Sequence, residues 1–287
     1  MSTDHKATVA VLGTGLIGAP VARNLHKRGF AVQAWNRSPA KARALAADGI
    51  LAFDSPADAV RGADIIVTVL KDGPSVQEAI QAAASALAKG AIWAQLSTVG
   101  IEGIDTLAAL AEQHGLVFYD APVQGTRQPA EQAQLVILAS GPIAQRDAVQ
   151  PVFDAIGKRT LWVSEQVGAS SRLKLVLNNW AFALTHGLAE SLALARVLGV
   201  DPALVIDAVT GGPMDSGYFQ AKAAAILADN YAASFSIANA AKDARLIMHA
   251  AVQNGVQLDA AQAGLHRFER ALAAGHGGKD MAASYLA

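Results

Sequence analysis

TVAVLGTGLIGAPVARNL, residues 8–25, decides how the rest of the chain is read. The apolar run Val9–Leu12 predicts a short strand. Gly13, Gly15 and Gly18 follow in G-x-G-x-x-G spacing, with Thr14, Leu16 and Ile17 between them. Ala19, Val21, Ala22 and Leu25 then recur at helical spacing, so the stretch reads as strand, tight turn, helix. Gly13 lets the chain turn out of the strand. Gly15 lets a pyrophosphate approach the backbone, and Gly18 lets the helix pack close on the sheet. The helix N-terminus then offers free N–H groups and the positive end of its dipole to phosphates. The pattern predicts a dinucleotide site over Gly13–Gly18.

The next strand, Ala31–Trp35, ends in Asn36-Arg37-Ser38-Pro39. Where NAD is bound, an acidic residue about 20 positions past the glycines accepts the ribose 2′-OH. That position falls near Asn36, which is not acidic. Arg37 can pair with a 2′-phosphate and Ser38 can donate to it, whereas a carboxylate would repel it. The expectation is NADP, with Asn36, Arg37 and Ser38 at the adenosine end. A solvated turn rich in Arg and Ser is the alternative, and it leaves the missing carboxylate unexplained.

Composition narrows the class. The chain has 287 residues, 52% of them hydrophobic and 16% charged, which suits a well-buried globular protein and argues against disorder. Basic and acidic residues number 23 and 24, and no basic tract appears, so nucleic-acid binding is not expected. There is no Cys, hence no disulfide and no thiolate chemistry. The seven histidines form no H-x-H or H-E-x-x-H spacing, so no metal site is expected. The start, MSTDHKATVA, has no apolar signal region, and no uncharged apolar run is long enough to span a membrane. The expectation is a cytoplasmic protein with no membrane partner.

Further along, Leu51–Phe53, Ala63–Leu70, Ala91–Leu96, Val117–Tyr119, Leu135–Ala139 and Leu161–Val163 read as strands, with helical patterns between most of them. Ala63–Leu70 is apolar throughout, as a strand buried on both faces would be. Ligands of open α/β sheets sit beyond the carboxyl ends of the strands, which puts Leu70, Lys71, Ser97 and Thr98 near the cofactor. Thr98 can equally cap a helix. Asp120 reads as the cap of the turn that follows its strand. Strand signals stop near Ser164, and only helical patterns follow, broken near Gly199–Pro202, Gly211–Gly217 and Asn254-Gly255. The fold class expected is therefore α/β: an N-terminal Rossmann dinucleotide-binding domain, residues 1–165, and an all-α C-terminal domain, residues 166–287, joined by a long interdomain helix. The tail AAGHGGKDMAASYLA reads as loosely ordered.

Gly168–Leu198 contains no proline and can form one helix of about 45 Å. Lys174 and Asn178 lie on one face of it, among Leu173, Leu175, Val176, Leu177 and Trp180. A lysine in that setting is costly unless its charge is used, paired or suppressed. A lysine with an amide one turn away is a proton donor with an orienting partner, which carbonyl reduction needs. A lysine whose stem packs and whose head reaches water is the equal alternative. His186, His249 and Met248 read as packed residues, and Glu190 is too far along the helix to act on Lys174.

Four stretches together resemble the β-hydroxyacid dehydrogenase family: VAVLGTGLIGAPVARNL, DAPVQGTRQPAEQAQLVILASG, GASSRLKLVLNN, and AAKDARL at Ala240–Leu246. The second is most similar to the glyoxylate/succinic semialdehyde reductase branch, which reduces small aldehyde acids with NADPH. The resemblance implies that Lys174 is the catalytic lysine and Asn178 its support. It implies that Thr98 and Lys242 meet the cofactor. It puts the substrate carboxylate at Gln124-Gly125-Thr126, with Asp243 and Phe219 lining the substrate site. It further implies homodimers or homotetramers built through the helical domain. One departure stands out. The family commonly has Ser-Gly-Gly or Ser-Gly-Ser where this chain has Gln124-Gly125-Thr126. Glutamine is longer and carries both a donor and an acceptor.

Three readings follow. The first is an NADPH-dependent reductase of small aldehyde acids, with Lys174 as proton donor. The second is an imine reductase-like enzyme, admitted by Gln124 but disfavoured because a cationic lysine repels an iminium. The third is a non-catalytic NADP-binding module, disfavoured because Lys174, Asn178, Thr98 and Lys242 are all present.

Overall fold

The computed structural model describes residues 7–287, so the first six residues of the expected N-terminal domain lie outside it. The chain divides into two compact units, one running to Lys174 and the other from Leu175.

The first unit carries a nine-stranded sheet. Its strands are β1 (Thr8–Leu12), β2 (Ala31–Trp35), β3 (Leu51–Phe53), β4 (Ile65–Thr68), β5 (Ile92–Gln95), β6 (Val117–Asp120), β7 (Val123–Gln124), β8 (Leu135–Ser140) and β9 (Gly157–Ser164). The order β3-β2-β1-β4-β5-β6-β8-β7, with β9 beside β8, is parallel from β3 to β6. The chain reverses only where β8 joins β6 and β7. The first six strands thus take the doubly wound 3-2-1-4-5-6 order, whose direction switches between β1 and β4. Alternate residues of β1 explain the lack of polar positions along it. Val9 and Val11 enter one apolar cluster, Ala10 and Leu12 the other, on opposite faces of the sheet.

Helices α1 (Gly18–Lys27), α2 (Pro39–Arg43), α3 (Pro56–Val60), α4 (Gly73–Ala83), α5 (Gly100–Gln113), α6 (Arg127–Glu131) and α7 (Arg146–Ile156) connect the strands. Several begin where local chemistry dictates. Ser55 accepts from Asp58 N–H with Pro56 at the first helical position, and Asp72 accepts from Ser75 N–H. The pattern over 39–48 reads as one helix but is split, α2 giving way to a 3₁₀ turn over Ala44–Asp48 that ends at Gly49.

Helix α8 spans Ala169–Val197 without interruption. The second unit continues with α9 (Pro202–Val209), α10 (Gly217–Leu227), α11 (Ile237–Gln253) and α12 (Asp259–Ala273). The described residues thus form an N-terminal Rossmann unit and an all-helical C-terminal unit, joined through a long helix. His249 does not pack as its spacing suggests. The buried face of α11 is Ile237, Ala240, Ala241, Ala244, Ile247 and Ala251, and His249 is exposed.

The tail is also not loose. Met281–Leu286 forms a 3₁₀ turn whose Met281, Ala282, Ala283 and Ser284 are buried. Asp280 anchors it: Lys222 Nζ donates to Oδ1 at 2.6 Å, and Ser234 N and Oγ donate to Oδ2 at 2.9 and 2.6 Å. Alanine-rich composition hid this, because small side chains pack without any periodic signal of bulk. Among the described residues no helix is long and apolar enough to cross a membrane.

Candidate active site

The glycine turn leaves β1 at Gly13, whose N–H donates to Trp35 O at 2.8 Å and whose φ is +107°. A Cβ on Gly13 would strike the Val69 carbonyl, and one on Gly18 would strike the Gly13 carbonyl. At Gly15 nothing lies within 4 Å of where a Cβ would be. The turn is thus closed against the sheet at both ends and open in the middle. Leu16 and Gly15 are exposed, while Thr14 and Gly18 are buried and Ile17 is half-buried. No side chain caps α1, and its first turn holds no acidic residue. The Thr14 hydroxyl is buried with no hydrogen-bond partner. An open backbone cradle, an uncapped helix start and an unmet hydroxyl together fit a pyrophosphate.

Asn36 does something that spacing alone does not reveal. Its Oδ1 accepts from Thr14 N–H at 3.0 Å, and its Nδ2 donates to Ser38 O at 3.2 Å. Its side chain ties the glycine turn to the loop after β2. Arg37 and Ser38 on that loop are exposed.

Across the switch point, the ends of β4 and β5 are wired together. Leu70 N–H donates to Ser97 Oγ at 2.8 Å, and Ser97 N–H donates to Gln95 Oε1 at 2.6 Å. Leu70 and Thr98 are half-buried, and Lys71 is exposed. Helix α5 is entered through Val99, so Thr98 is not its cap residue.

Lys174 is 8% exposed, and its Nζ donates to Gln124 Oε1 at 2.5 Å. A lysine ammonium can only donate, so the amide oxygen must face it and the amide nitrogen must face elsewhere. Gln124 is held by β7, opposite Val136 of β8. Gly125 is exposed, and Thr126 is half-buried at the start of α6.

The second unit holds another cluster. Asn178 Nδ2 donates to Asp243 Oδ2 at 2.9 Å, and Lys242 Nζ lies 2.5 Å from Asp243 Oδ1. Asp243 is 1% exposed and Asn178 6%. The carboxylate therefore bridges α8 and its own neighbour on α11. Phe219 is half-buried in the first turn of α10. Lys174 and Asn178 lie one turn apart on α8.

Asp120 caps a different element from the one its sequence position suggests. Rather than closing the next turn, its Oδ2 accepts from Ser171 N–H at 2.7 Å, and its Oδ1 accepts from Ser171 Oγ at 2.8 Å. The partner is 51 residues away, beyond any local signal. Among the described residues no group of three or more His, Asp or Glu is placed to hold a metal ion.

Two family models cover the chain. The NAD-binding domain of 6-phosphogluconate dehydrogenase matches residues 8–164, and the NAD-binding domain of NADP-dependent 3-hydroxyisobutyrate dehydrogenase matches residues 168–287. Glyoxylate/succinic semialdehyde reductase 1 of Arabidopsis thaliana is 29% identical over 278 residues, 96% of each chain. The 3-hydroxyisobutyrate dehydrogenase of Salmonella typhimurium superimposes with a TM-score of 0.89 at 25% identity, covering 98% of this chain and 99% of that one. The 3-hydroxyisobutyrate dehydrogenase of Mycobacterium tuberculosis, solved with L-serine, gives 0.87 at 26% identity over 98% of both. A glycine cradle at the switch point of a doubly wound sheet, a buried lysine on the long helix and these matches have one conclusion: the chain belongs to the β-hydroxyacid dehydrogenase family, nicotinamide-dependent oxidoreductases that act on CH–OH groups.

Proposed function

We propose that the chain is an NADPH-dependent reductase of small aldehyde acids, such as glyoxylate or succinic semialdehyde, giving hydroxy acids. The observation that carries this reading is the buried Lys174 ammonium set against Gln124 Oε1 at 2.5 Å. With the amide oxygen turned to Lys174, the two N–H donors of Gln124 are left to meet a carboxylate. Bound NADPH supplies a hydride to the carbonyl carbon. Lys174 gives a proton to the carbonyl oxygen, so the C=O becomes CH–OH. Asn178, one turn on from Lys174 along α8, donates to Asp243. The likeness to the Arabidopsis reductase supports the substrate class. NADPH over NADH is supported by Arg37 and Ser38 standing where an NAD site would have a carboxylate.

The same reading includes a homodimer or homotetramer built through the helical unit. Val176 and Trp180, each 65% exposed, and Leu194, 58% exposed, leave an apolar strip on α8 that water would otherwise cover. Trp180→Glu should shift the mass measured by light scattering to that of the monomer.

The direct test is NADPH oxidation with glyoxylate, succinic semialdehyde, tartronate semialdehyde and one cyclic imine, with NADH as control. Turnover of an aldehyde acid with NADPH preferred is the expected result. Turnover of the imine alone would overturn the substrate class.

A further inference from the structure

We infer that Asp120 is a positioning residue for the reaction: it anchors the first turn of α8 to the end of β6 and so fixes where Lys174 stands relative to Gln124. The inference rests on Lys174 being the proton donor proposed above.

The first N–H groups of any helix have no partner within the helix. In α8 each of them is accounted for. Ala169 N–H donates to Gln166 O at 3.4 Å, Ser170 N–H to Ser140 Oγ at 3.2 Å, and Ser171 N–H to Asp120 Oδ2 at 2.7 Å. The helical ladder starts with Arg172 N–H on Gly168 O at 3.1 Å. Two of the three acceptors are side chains at the ends of sheet strands, Asp120 on β6 and Ser140 on β8. These two residues are themselves register partners in the sheet. Asp120 also accepts from Ser171 Oγ, and both Asp120 and Ser140 are 0% exposed.

The anchor and the site share one short frame. Ser171 precedes Lys174 by three residues, so the two lie on the same side of the helix. Asp120 precedes Gln124 by four residues in the segment that leaves β6. The two partners of the 2.5 Å Lys174–Gln124 contact are thus each within one turn, or one short loop, of the two partners of the Asp120–Ser171 contact. Loss of the second releases the geometry of the first. A carboxylate also suits the positive end of the helix dipole, so its charge strengthens the hold.

The groups that face Asp120 are neutral. They are Ser140 from β8, and Gly168 N–H and Ser171 from the start of α8. The charged side chains that lie against Gly168 are Arg172 and Asp105. Burial pushes the Asp120 carboxyl up to about 6, against the pull of these hydrogen bonds. Above that pH the carboxylate accepts both Ser171 donors. Below it one oxygen carries a proton and becomes a weaker acceptor, so the first turn is held less firmly.

The test uses the NADPH-loaded enzyme with an aldehyde acid, together with hydrogen exchange over residues 168–175. Asp120→Ala should lower kcat by about 10²-fold, the cost of a misplacement near 1 Å, while cofactor affinity changes by less than about threefold. Asp120→Asn keeps an acceptor for Ser171 N–H and should lose about tenfold, near one charge-assisted hydrogen bond. It should also lose the fall in kcat that is expected of the native enzyme below about pH 6. Both variants should exchange faster over 168–175 and nowhere else. Ser171→Ala, which removes only the hydroxyl, should give a smaller loss in the same direction and serves if Asp120→Ala does not fold. A role in stability alone would lower the melting temperature and leave kcat and its acid limb unchanged, and that result overturns the inference. If the native enzyme reduces no aldehyde acid, the proposed function fails by itself. Exchange over 168–175 that is unchanged in Asp120→Asn then overturns the anchor.

Discussion

Among the described residues, Lys174 and Lys222 are buried to nearly the same degree, at 8% and 6% exposure. Their surroundings assign them different work. Lys222 donates to Asp280 at 2.6 Å in an ion pair, and that carboxylate also accepts from Ser234, Phe235 and Ala282. Every lone pair of Asp280 is occupied, and the pair pins the end of the chain. Burial pushes the Asp280 carboxyl up, but Lys222 and the hydrogen bonds outweigh it and hold the group below its ordinary range. Lys174 instead donates to an amide oxygen, Gln124 Oε1. On the proposed reading, Lys222 holds the end of the chain and Lys174 is the proton donor.

The largest effect that would break this contrast comes from removing each lysine. Lys174→Ala should cut kcat by about 10²–10⁴-fold, the usual worth of a positioned acid. Its melting temperature should move little. Lys222→Ala leaves Asp280 buried and uncompensated, which costs about 3–5 kcal/mol of stability. Its turnover per folded molecule should match that of the native enzyme. Chemical denaturation and active-site-normalised kinetics on both variants decide the matter, and a reversed pattern would end the distinction.

Next in size is a pH effect on stability that neither lysine causes. His186 lies against Phe268 with ring centroids 4.4 Å apart, and both its ring nitrogens are buried without a hydrogen bond. Burial, with the charges of Arg267 and Arg270, lowers its pKa from 6.5 to about 4. The folded state therefore holds the neutral ring, while the unfolded chain takes up a proton below 6.5. Stability from this group is complete above pH 6.5 and is lost as pH falls toward 4, by about 3 kcal/mol in all. Asp120 has the opposite sign. Its raised pKa makes its contribution largest below 3.8 and smaller as pH rises through about 6. The two slopes offset each other between about pH 4 and 6.5, so denaturation midpoints there should fall with rising pH in His186→Leu and climb more steeply with pH in Asp120→Asn.

Smaller effects sharpen the assignment of the cofactor and substrate ends. Arg37→Ala should raise the KM for NADPH by about 10–100-fold, the loss of one charged hydrogen bond of 1.5–3 kcal/mol, and leave the KM for NADH unchanged. Gln124→Ser removes the amide that Lys174 donates to, so its loss of kcat should match that of Asp120→Ala; the mildest effect is on size preference, with bulkier acids gaining relative to glyoxylate. A Gln124→Ser enzyme that keeps the native size preference would show that the amide length does not set it.

The ease with which the sequence could be read follows the range of the interaction. The glycine turn, the apolar strands and the proline-free long helix are local patterns, so spacing alone finds them. Ser55 and Asp72 cap the helices that follow them, which is also local. Asp120 was misplaced because its partner stands 51 residues on. The ordered tail was missed because Asp280 draws Lys222 from 58 positions away and its neighbours are alanines. For Lys174 spacing left two readings even, since both put a lysine on an apolar helix face. The atom at its tip, Gln124 Oε1, is given only by three-dimensional contact.

The tie made by Asn36 has a consequence for how cofactor preference can change. Because its side chain holds Thr14 with one end and Ser38 with the other, the pyrophosphate cradle is braced by a residue that need not itself choose between cofactors. Arg37 and Ser38 beside that brace are exposed. If they read the adenosine end as proposed, they can be exchanged as a cassette without disturbing the turn. A designer who wishes to change cofactor preference would do well to leave Asn36 alone.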